Sequence, residues 1–355
     1  MNRRDFLHPR RIAHTAGQIL AGVDELRDTD SIDLDEPLQE VGDIALLRFS
    51  RRAMATTFEV VLPFGTPRAQ QLAEEALDEV DRLEDQLSVY RDTSEVSRLN
   101  ASAFNAEVAV EVRLFDLLQL SAAISEATEY AFDITAGALV KAWGFYKGPR
   151  RVPADRELRE ALFRVGTPHL LLEPEKRKVR YLRPGLEINL GSIGKGYALD
   201  RAAELLANKW NVASALLHGG HSSIYALGTE PGNPRGWPVG IKHPWDPEKH
   251  LAVVWLKDRG LGTSAATFQH LEHHGRKLGH ILDPRTGWPA QGMASATVTA
   301  PTSSEADALA TAFYILGAEK ARQYCAVHQE IGAVLLPENA AAPIVLNISP
   351  NDISL

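Results

Sequence analysis

Residues 186–196 are the segment most informative about the fold, and they read Leu186-Glu187-Ile188-Asn189-Leu190-Gly191-Ser192-Ile193-Gly194-Lys195-Gly196. The apolar alternation predicts a strand over 186–190, the glycines predict a turn, and a helix is expected over 195–208. Backbone N–H groups at such a turn can bind an anion, and Lys195 could add a positive charge for a phosphate. The spacing matches neither a P-loop nor a Rossmann fingerprint. A tight strand-to-helix turn without a ligand explains the segment equally well.

Outward from this segment, the chain is rich in short strands and poor in crossover helices. The predicted strands cover residues 58–62, 169–172, 179–182, 214–217, 223–227, 239–242, 251–256, 295–300 and 334–336. A further helix is expected over 304–316. The regular alternation of strands and helices that is typical of a doubly wound fold is missing. The sequence therefore predicts an α+β fold with largely antiparallel sheets and flanking helices.

The bulk composition disfavours several classes of function. The chain has 355 residues and is 45% hydrophobic, which is enough for one large domain or two modest ones. Its formal net charge of −8 disfavours general nucleic-acid binding, because neutralising phosphates requires clustered Lys and Arg. No apolar run approaches the roughly 18–20 residues that span a bilayer, so no transmembrane segment is expected. The single cysteine, Cys325, permits no internal disulfide.

Residues 1–45 are predicted to form an N-terminal arm that precedes a domain over 46–350. The segment Asn2-Arg3-Arg4-Asp5-Phe6-Leu7 looks like a twin-arginine export motif. The apolar region that a signal peptide needs is interrupted here by His14, Thr15 and Gln18. The sequence therefore leaves two locations in a bacterial cell open, the periplasm and the cytoplasm.

A second candidate site is the segment Thr302-Ser303-Ser304-Glu305-Ala306-Asp307-Ala308-Leu309-Ala310-Thr311. Asp307 and Thr311 are four residues apart, so they share one helix face, and their oxygen atoms suit a hard cation such as Mg²⁺. The segment has another interpretation, because Thr302 with Glu305 and Ser304 with Asp307 both fit a capping box. The spacing alone favours the capping interpretation over the metal site.

Histidines provide the remaining candidates. His280 lies shortly before the turn Asp283-Pro284-Arg285-Thr286-Gly287, and an imidazole beside a turn can act as a general base near neutral pH. A lone histidine more often has a structural role. The spacing of the other nearby histidines matches no zinc motif, which disfavours a metal held by imidazoles. These are His218, His221, His270, His273 and His274.

The order of these motifs along the chain resembles the ApbE family of FAD:protein FMN transferases. The segments that carry the resemblance are Met54–Phe58, Ser88–Tyr90, Ser94–Asn100, Phe132–Gly137, Trp143–Phe145, Gly194–Asp200, His218–Gly220, Gly262–Ser264, His280–Gly287 and Ala306–Thr311. They follow one another in the family's order over about residues 50–320. The domain over 46–350 is therefore identified as a member of this family.

The resemblance implies a fold, a reaction and its partners. It implies an ApbE-like, T-fold-related architecture with FAD in a cleft between two lobes. It implies that Mg²⁺ binds at the FAD pyrophosphate through Asp307, Thr311 and a backbone carbonyl near Gly191. The expected reaction moves FMN from FAD to a Thr or Ser hydroxyl of an acceptor protein, expected to be a redox-complex subunit, and releases AMP.

The resemblance also assigns roles to individual residues. Lys195 and His280 correspond to catalytic residues, Lys195 beside the phosphates and His280 as the group that activates the acceptor hydroxyl. Met54 and Tyr90 correspond to positions near the isoalloxazine ring. The full set of cofactor-binding positions corresponds to Met54, Tyr90, Asp133, Gly194, Lys195, Asp200, Ser264 and His280.

The chain departs from the family pattern at three positions. Ala55 and Ala265 stand where the family usually has glycine, in Met-Gly-Thr and Thr-Ser-Gly, and His221 stands where it usually has the aspartate of Gly-Gly-Asp. These changes bear on flavin affinity and turnover. Two alternatives to transfer therefore stay open. The first is an FAD-binding protein without transfer, and the second is an FAD pyrophosphatase that produces FMN and AMP.

Overall fold

The computed structural model describes residues 45–246, 248–265, 270–273 and 275–355. The helices in these ranges are α1 (Ala69–Leu87), α2 (Glu95–Ser102), α3 (Val112–Ala127), α4 (Gly137–Ala142), α5 (Asp155–Phe163), α6 (Gly194–Glu204), α7 (Ser303–Leu316) and α8 (Ala318–Val327). None of these helices is long and apolar enough to cross a membrane. The twin-arginine-like motif and nearly all of the predicted N-terminal arm lie outside the described residues.

The strands of the described ranges form one large sheet and three small ones. They are β1 (Leu46–Ala53), β2 (Thr56–Pro63), β3 (Val108–Ala109), β4 (Leu170–Glu173), β5 (Lys178–Tyr181), β6 (Ala215–Gly219), β7 (Ser223–Leu227), β8 (Trp237–Lys242), β9 (His250–Leu256), β10 (Arg259–Ala265), β11 (His270–His273), β12 (Arg276–Gly279), β13 (Met293–Ala300), β14 (Gly332–Pro337), β15 (Ile344–Leu346) and β16 (Ile353–Ser354). The large sheet has the order β1-β2-β6-β7-β10-β13-β14-β15, and every neighbouring pair in it is antiparallel. The predicted α+β fold with largely antiparallel sheets is confirmed.

The large sheet is covered on both faces. Ala296 and Val298 of β13 belong to the core that the sheet shares with α1, α3, α6 and α7. Ala294 belongs to a second core on the other face, which is shared with the three-stranded sheet β16-β9-β8. All eight residues of β13 are buried as a result. Burial on both faces agrees with the lack of charged residues in β13, whose polar residues Ser295, Thr297 and Thr299 are all buried.

The predicted strand over 186–190 is wrong. Glu187 makes an isolated parallel bridge to Ala136, and no strand is assigned over these described residues. The Asn100 side chain takes the place of a neighbouring strand, because its amide nitrogen donates to the Ile188 carbonyl at 2.9 Å and its oxygen accepts from the Ile188 N–H at 2.8 Å. The apolar alternation came from burial of Leu186, Ile188 and Leu190 in the core and not from sheet pairing.

Strand β10 was missed because glycine is uncommon in strand interiors. Gly260 and Gly262 lie directly beneath helix α7. A Cβ atom at Gly262 would lie 2.5 Å from the Ala306 carbonyl carbon, and one at Gly260 would overlap the Ser303 backbone. The glycines therefore allow the backbone of α7 to approach the centre of the sheet closely.

Helices α6 and α7 also touch each other backbone to backbone. A Cβ atom at Gly196 in α6 would overlap the carbonyl oxygen of Ser303 at the start of α7. Because the obstructing atom belongs to the backbone, it cannot turn away as a flexible side chain would. The contact fixes how far the first turn of α6 lies from the first turn of α7.

We expect Gly196→Ala to destabilise the protein by about 1–3 kcal/mol, which is the usual effect of overpacking a close contact. Gly194→Ala is the matched control, because a Cβ at Gly194 would lie 3.8 Å from the Leu190 Cβ, an ordinary contact distance. Thermal unfolding of the two variants measures the difference. Equal midpoints for Gly196→Ala and Gly194→Ala would contradict the close backbone contact.

Candidate active site

A cavity of about 750 Å³ lies at the junction of α6, α7 and the centre of the large sheet. Many of the residues predicted for the site line it, namely Tyr90, Asp133, Gly191, Lys195, Ser264, His280, Asp307 and Thr311. Within the described part of the chain, its lining does not include Met54, Gly194 or Asp200. The fold thus brings together residues from segments far apart in sequence, and their individual roles remain predictions.

Asp307 lies on α7 with a side chain that is almost completely buried, at 6% exposure. The Ser223 hydroxyl lies 2.8 Å from each of its carboxylate oxygens, and the Gly196 N–H donates to Oδ2 at 2.8 Å. Burial raises the pKa of Asp307 to about 6, although the Lys195 charge and these hydrogen bonds act to lower it. The hydrogen bonds and the Lys195 charge thus do not fully offset the cost of burying the ionised carboxylate. A cation beside Asp307 would stabilise the ionised form.

The capping interpretation of the segment 302–311 applies to Thr302 and Glu305. The Thr302 hydroxyl accepts from the Glu305 N–H at 3.2 Å and donates to the Glu305 carboxylate at 2.8 Å. Asp307 is bound by Ser223 and Gly196 instead. The capping interpretation is thus confirmed for Thr302 and Glu305, whereas the metal site at Asp307 stays a prediction.

Thr311 and Ser264 continue the same cavity wall. Their hydroxyl oxygens lie 3.2 Å apart, and the Thr311 hydroxyl also donates to the Asp307 carbonyl at 3.2 Å. The wall thus presents a carboxylate and two hydroxyl groups, from Asp307, Thr311 and Ser264. All are oxygen ligands, which hard cations prefer.

This set of oxygen atoms is suited to Mg²⁺ as a partial coordination shell. Mg²⁺ commonly takes one or two carboxylates from the protein and completes its shell with water and substrate phosphates. Among the described residues, no group of three or more His, Cys, Asp or Glu side chains converges as a complete metal site. Mg²⁺ at Asp307 and Thr311 would therefore depend on phosphate oxygens of a bound substrate.

Lys195 is the second residue of α6 and lines the cavity. The start of a helix carries a partial positive charge that favours a bound anion, although the Gly194 N–H already donates to the Leu190 carbonyl and the Gly196 N–H to Asp307. The turn before α6 is held by Asn189, whose side-chain oxygen accepts from the Gly191 N–H at 2.9 Å. A phosphate near this turn would meet both the helix N-terminus and the Lys195 ammonium group.

Asp200 lies on α6 outside the described lining of the cavity and binds the start of α7. Its carboxylate accepts from the N–H groups of Ser303 at 2.7 Å and Ser304 at 2.8 Å, and also from the Ser304 hydroxyl. Burial raises the pKa of Asp200 to about 7, with the hydrogen bonds from Ser304 and Ser303 opposing this and the charge of Asp307 adding to it. These contacts cap α7 and join it to α6.

Asp133 lines the cavity, but its carboxylate is already used by the fold. It accepts from the N–H of Thr135 at 2.8 Å, from the Thr135 hydroxyl at 2.6 Å and from the Thr167 N–H at 2.8 Å. Only 7% of its surface is exposed. In this structure Asp133 therefore holds the loop before α4 against the segment that follows α5.

His280 follows β12, and the turn after it is firmly anchored. The Gly287 N–H donates to the Asp283 carbonyl at 2.7 Å, and Arg285 pairs with the Asp283 carboxylate at 2.8 Å. The buried Trp143 indole donates to the Gly287 carbonyl at 2.8 Å. These contacts fix the turn that follows His280, and His280 itself lines the cavity.

Two buried residues at the site were missed by sequence reasoning, Ser295, which lines the cavity, and Ser223, which binds the cavity residue Asp307. Ser223 and Ser295 are both buried strand residues, at 0% and 2% exposure. Ser223 binds Asp307, whereas the Ser295 hydroxyl has no hydrogen-bond partner among the described residues. A serine within a buried strand is the signal that could have identified Ser223, since a buried hydroxyl usually has a hydrogen-bond partner.

The three departures from the family pattern lie in different surroundings. Ala55 lies in the two-residue turn between β1 and β2, where φ is 48° at Met54 and 60° at Ala55. Positive φ at both positions is typical of a type I′ turn and favours glycine, which accounts for the usual residue there. His221 and Ala265 line the cavity, and Ala55 is absent from its described lining. His221 and Ala265 are therefore the departures that border the space for a ligand.

A model of the ApbE family matches residues 54–335, which include every cavity residue described above. The chain belongs to the ApbE family. The "FAD:protein FMN transferase" of Escherichia coli K12 is 32% identical over 280 residues, which are 77% of this chain and 79% of the relative. The one from Treponema pallidum is 35% identical over 285 residues, 73% of this chain and 75% of the relative.

Solved structures of ApbE proteins share the fold. The ApbE protein of Thermotoga maritima has a TM-score of 0.76 at 28% identity, with 84% of this chain and 96% of that chain covered. The apo flavinyl transferase ApbE of Pseudomonas stutzeri has a TM-score of 0.76 at 26% identity, with coverage of 87% and 96%. The predicted ApbE-like architecture is confirmed.

Proposed function

We propose that this chain is an FAD:protein FMN transferase that requires Mg²⁺ and modifies a Thr or Ser hydroxyl of an acceptor protein. The observation that carries the proposal is the convergence of Lys195, His280, Asp307 and Thr311 on one cavity. The names of its relatives in the ApbE family support the class of reaction. A redox-complex subunit is the proposed kind of acceptor.

In the proposed reaction, the acceptor hydroxyl oxygen attacks the phosphorus on the FMN side of the FAD pyrophosphate. A P–O bond forms between this oxygen and FMN as the P–O bond to AMP breaks, and AMP leaves with the bridging oxygen. The hydroxyl proton passes to the His280 imidazole, which acts as the general base. With water in place of the hydroxyl, the same steps would release free FMN and AMP.

The other residues would bind and orient the pyrophosphate. Lys195 and the N-terminus of α6 would place positive charge beside the phosphate oxygens. Asp307, Thr311 and a backbone carbonyl near Gly191 would hold Mg²⁺, which neutralises charge that develops on those oxygens. The Ser223 hydroxyl and the Gly196 N–H would keep the Asp307 carboxylate in one orientation, since both already bind it.

The proposal is tested by measuring AMP release from FAD with and without Mg²⁺, and with and without an acceptor domain that offers an exposed Thr. We expect AMP only when Mg²⁺ is present, and covalent flavin fluorescence on the acceptor after denaturing electrophoresis. AMP release without a labelled acceptor would favour an FAD pyrophosphatase. FAD that stays bound without AMP release would favour an FAD-binding protein.

A further inference from the structure

Tyr90 and Tyr146 form a stacked pair at the edge of the candidate active site. Their ring centroids are 4.7 Å apart and their planes differ by 12°. Tyr90 lies in the loop between α1 and α2, and Tyr146 lies in the segment that follows α4. The stack thus joins two loops that are distant in sequence.

Tyr146 is held firmly from several directions. Its hydroxyl donates to the Val89 carbonyl at 2.6 Å, directly beside Tyr90 in the chain. The ammonium groups of Lys141 and Lys147 lie 5.1 Å and 5.0 Å from the centre of its ring, within the range of a cation–π interaction. Lys141 is fixed in turn by an ion pair with Glu187 at 2.6 Å. Tyr146 therefore provides a rigid support behind the Tyr90 ring.

The two tyrosines border different cavities. Tyr90 lines the large cavity and is 53% exposed, so a considerable part of its ring surface is uncovered. Tyr146 lines a neighbouring cavity of about 250 Å³, whose walls include the polar side chains of Asn100 and Glu187. The stacked rings thus lie between the two cavities, with one face of Tyr90 covered by Tyr146.

We propose that Tyr146 is a positioning residue for the flavin, because it holds the Tyr90 ring so that its uncovered face can stack on the isoalloxazine. This inference rests on the proposed function, which makes FAD the substrate. An exposed phenol ring normally turns between rotamers, and stacking a ligand on it requires that freedom to be lost. Tyr146 restricts rotation of the Tyr90 ring before FAD binds. It therefore strengthens FAD binding without contacting FAD.

The test measures FAD binding through the quenching of flavin fluorescence, for the wild type and for Tyr146→Ala. We expect Tyr146→Ala to raise the Kd for FAD roughly 3- to 10-fold, the range of an aromatic pair interaction. We also expect weaker quenching at saturation, because a mobile Tyr90 ring stacks less on the flavin. Tyr146→Phe keeps the stack and loses the bond to the Val89 carbonyl, so its Kd is expected between the other two values.

Phe163→Ala is the matched control for removing an exposed aromatic ring. Phe163 also carries a cation over its ring, with the Arg183 guanidinium 4.5 Å from the centroid, and it is not part of the described lining of either cavity. Its Kd for FAD and its quenching are expected to equal those of the wild type. An equal loss in Phe163→Ala would show that the effect is general and would overturn the proposal.

A double-mutant cycle with Tyr90→Ala decides whether Tyr146 acts through Tyr90. We expect Tyr146→Ala to change the Kd less than twofold when Tyr90 is already alanine. A full 3- to 10-fold effect in that background, or a wild-type Kd for Tyr146→Ala alone, would overturn the proposal. AMP release by the wild type is measured in parallel, so that failure of the transferase proposal is seen separately from failure of the positioning role.

Discussion

Asp307→Asn is expected to abolish Mg²⁺-dependent AMP release from FAD, with a loss of about 10³-fold or more. The substitution removes the only carboxylate proposed as a metal ligand. A bound metal stabilises transition-state charge by several kcal/mol, and each 1.36 kcal/mol corresponds to about a factor of ten in rate. The measurement is the rate of AMP release at saturating FAD over a range of Mg²⁺ concentrations.

The same variant is expected to keep its fold. An asparagine oxygen can still accept from the Gly196 N–H, and its amide can donate to the Ser223 hydroxyl, so both contacts of Asp307 have a replacement. Burial raises the folded pKa of Asp307 to about 6 from its ordinary value of 3.8. The folded state therefore binds a proton at Asp307 more tightly than the unfolded state does. This difference stabilises the fold at low pH, and the stabilisation is lost as the pH rises through about 6.

At pH 8 the wild type carries the full unfavourable effect of a buried charge at position 307, and Asp307→Asn does not. We therefore expect its thermal midpoint at pH 8, without Mg²⁺, to be no lower than that of the wild type. Glu305→Gln is the matched control on the same helix, because glutamine is compatible with the capping box at Thr302. Retained activity in Asp307→Asn, or an equal loss in Glu305→Gln, would contradict the proposed metal ligand.

His280→Ala is expected to lower FMN transfer by about 10²- to 10⁴-fold, the usual contribution of a general base. FAD binding is expected to change less than the rate, because His280 is only one of eight predicted cofactor-binding positions, whereas removal of the hydroxyl proton depends on it. The measurement compares the rate of covalent flavin attachment with the Kd for FAD. An unchanged transfer rate in His280→Ala would contradict the role of His280.

Two other histidines help to test this prediction, His328 as a control and His218 as an alternative general base. His328→Ala removes an imidazole that stacks on Tyr324 outside the described cavity lining, and it is expected to leave transfer unchanged. His218 also lines the cavity, and its Nε2 lies 3.3 Å from the Glu59 carboxylate. A larger loss in His218→Ala than in His280→Ala would move the role of general base to His218.

The sequence did not predict the hydrogen-bond partners of two candidate residues, Asp307 and Asp200. Asp307 was identified as a possible metal ligand, but the sequence alone favoured a helix cap. The structure assigns the cap to Thr302 and Glu305 and places Asp307 against Ser223. Asp200 stays a predicted binding residue, and in this structure its carboxylate accepts from the Ser303 and Ser304 N–H groups at the start of α7.

The sequence by itself determined the family and the α+β class, and most of the site residues that it predicted line the cavity. These follow from local patterns, because strand alternation, helix periodicity and short motifs are written in consecutive residues. Strand β10 escaped this reasoning, because its glycines serve the close approach of α7 and lower its apparent strand propensity.

Only the tertiary structure decided which of these residues act on one another. The two contacts that hold Asp307 come from Ser223 and Gly196, which are 84 and 111 residues away along the chain. The stack of Tyr146 on Tyr90 likewise joins separate loops. Such contacts depend on how the sheets and helices pack. The periodicity of a short segment does not predict which residues, distant in sequence, will lie beside a given side chain.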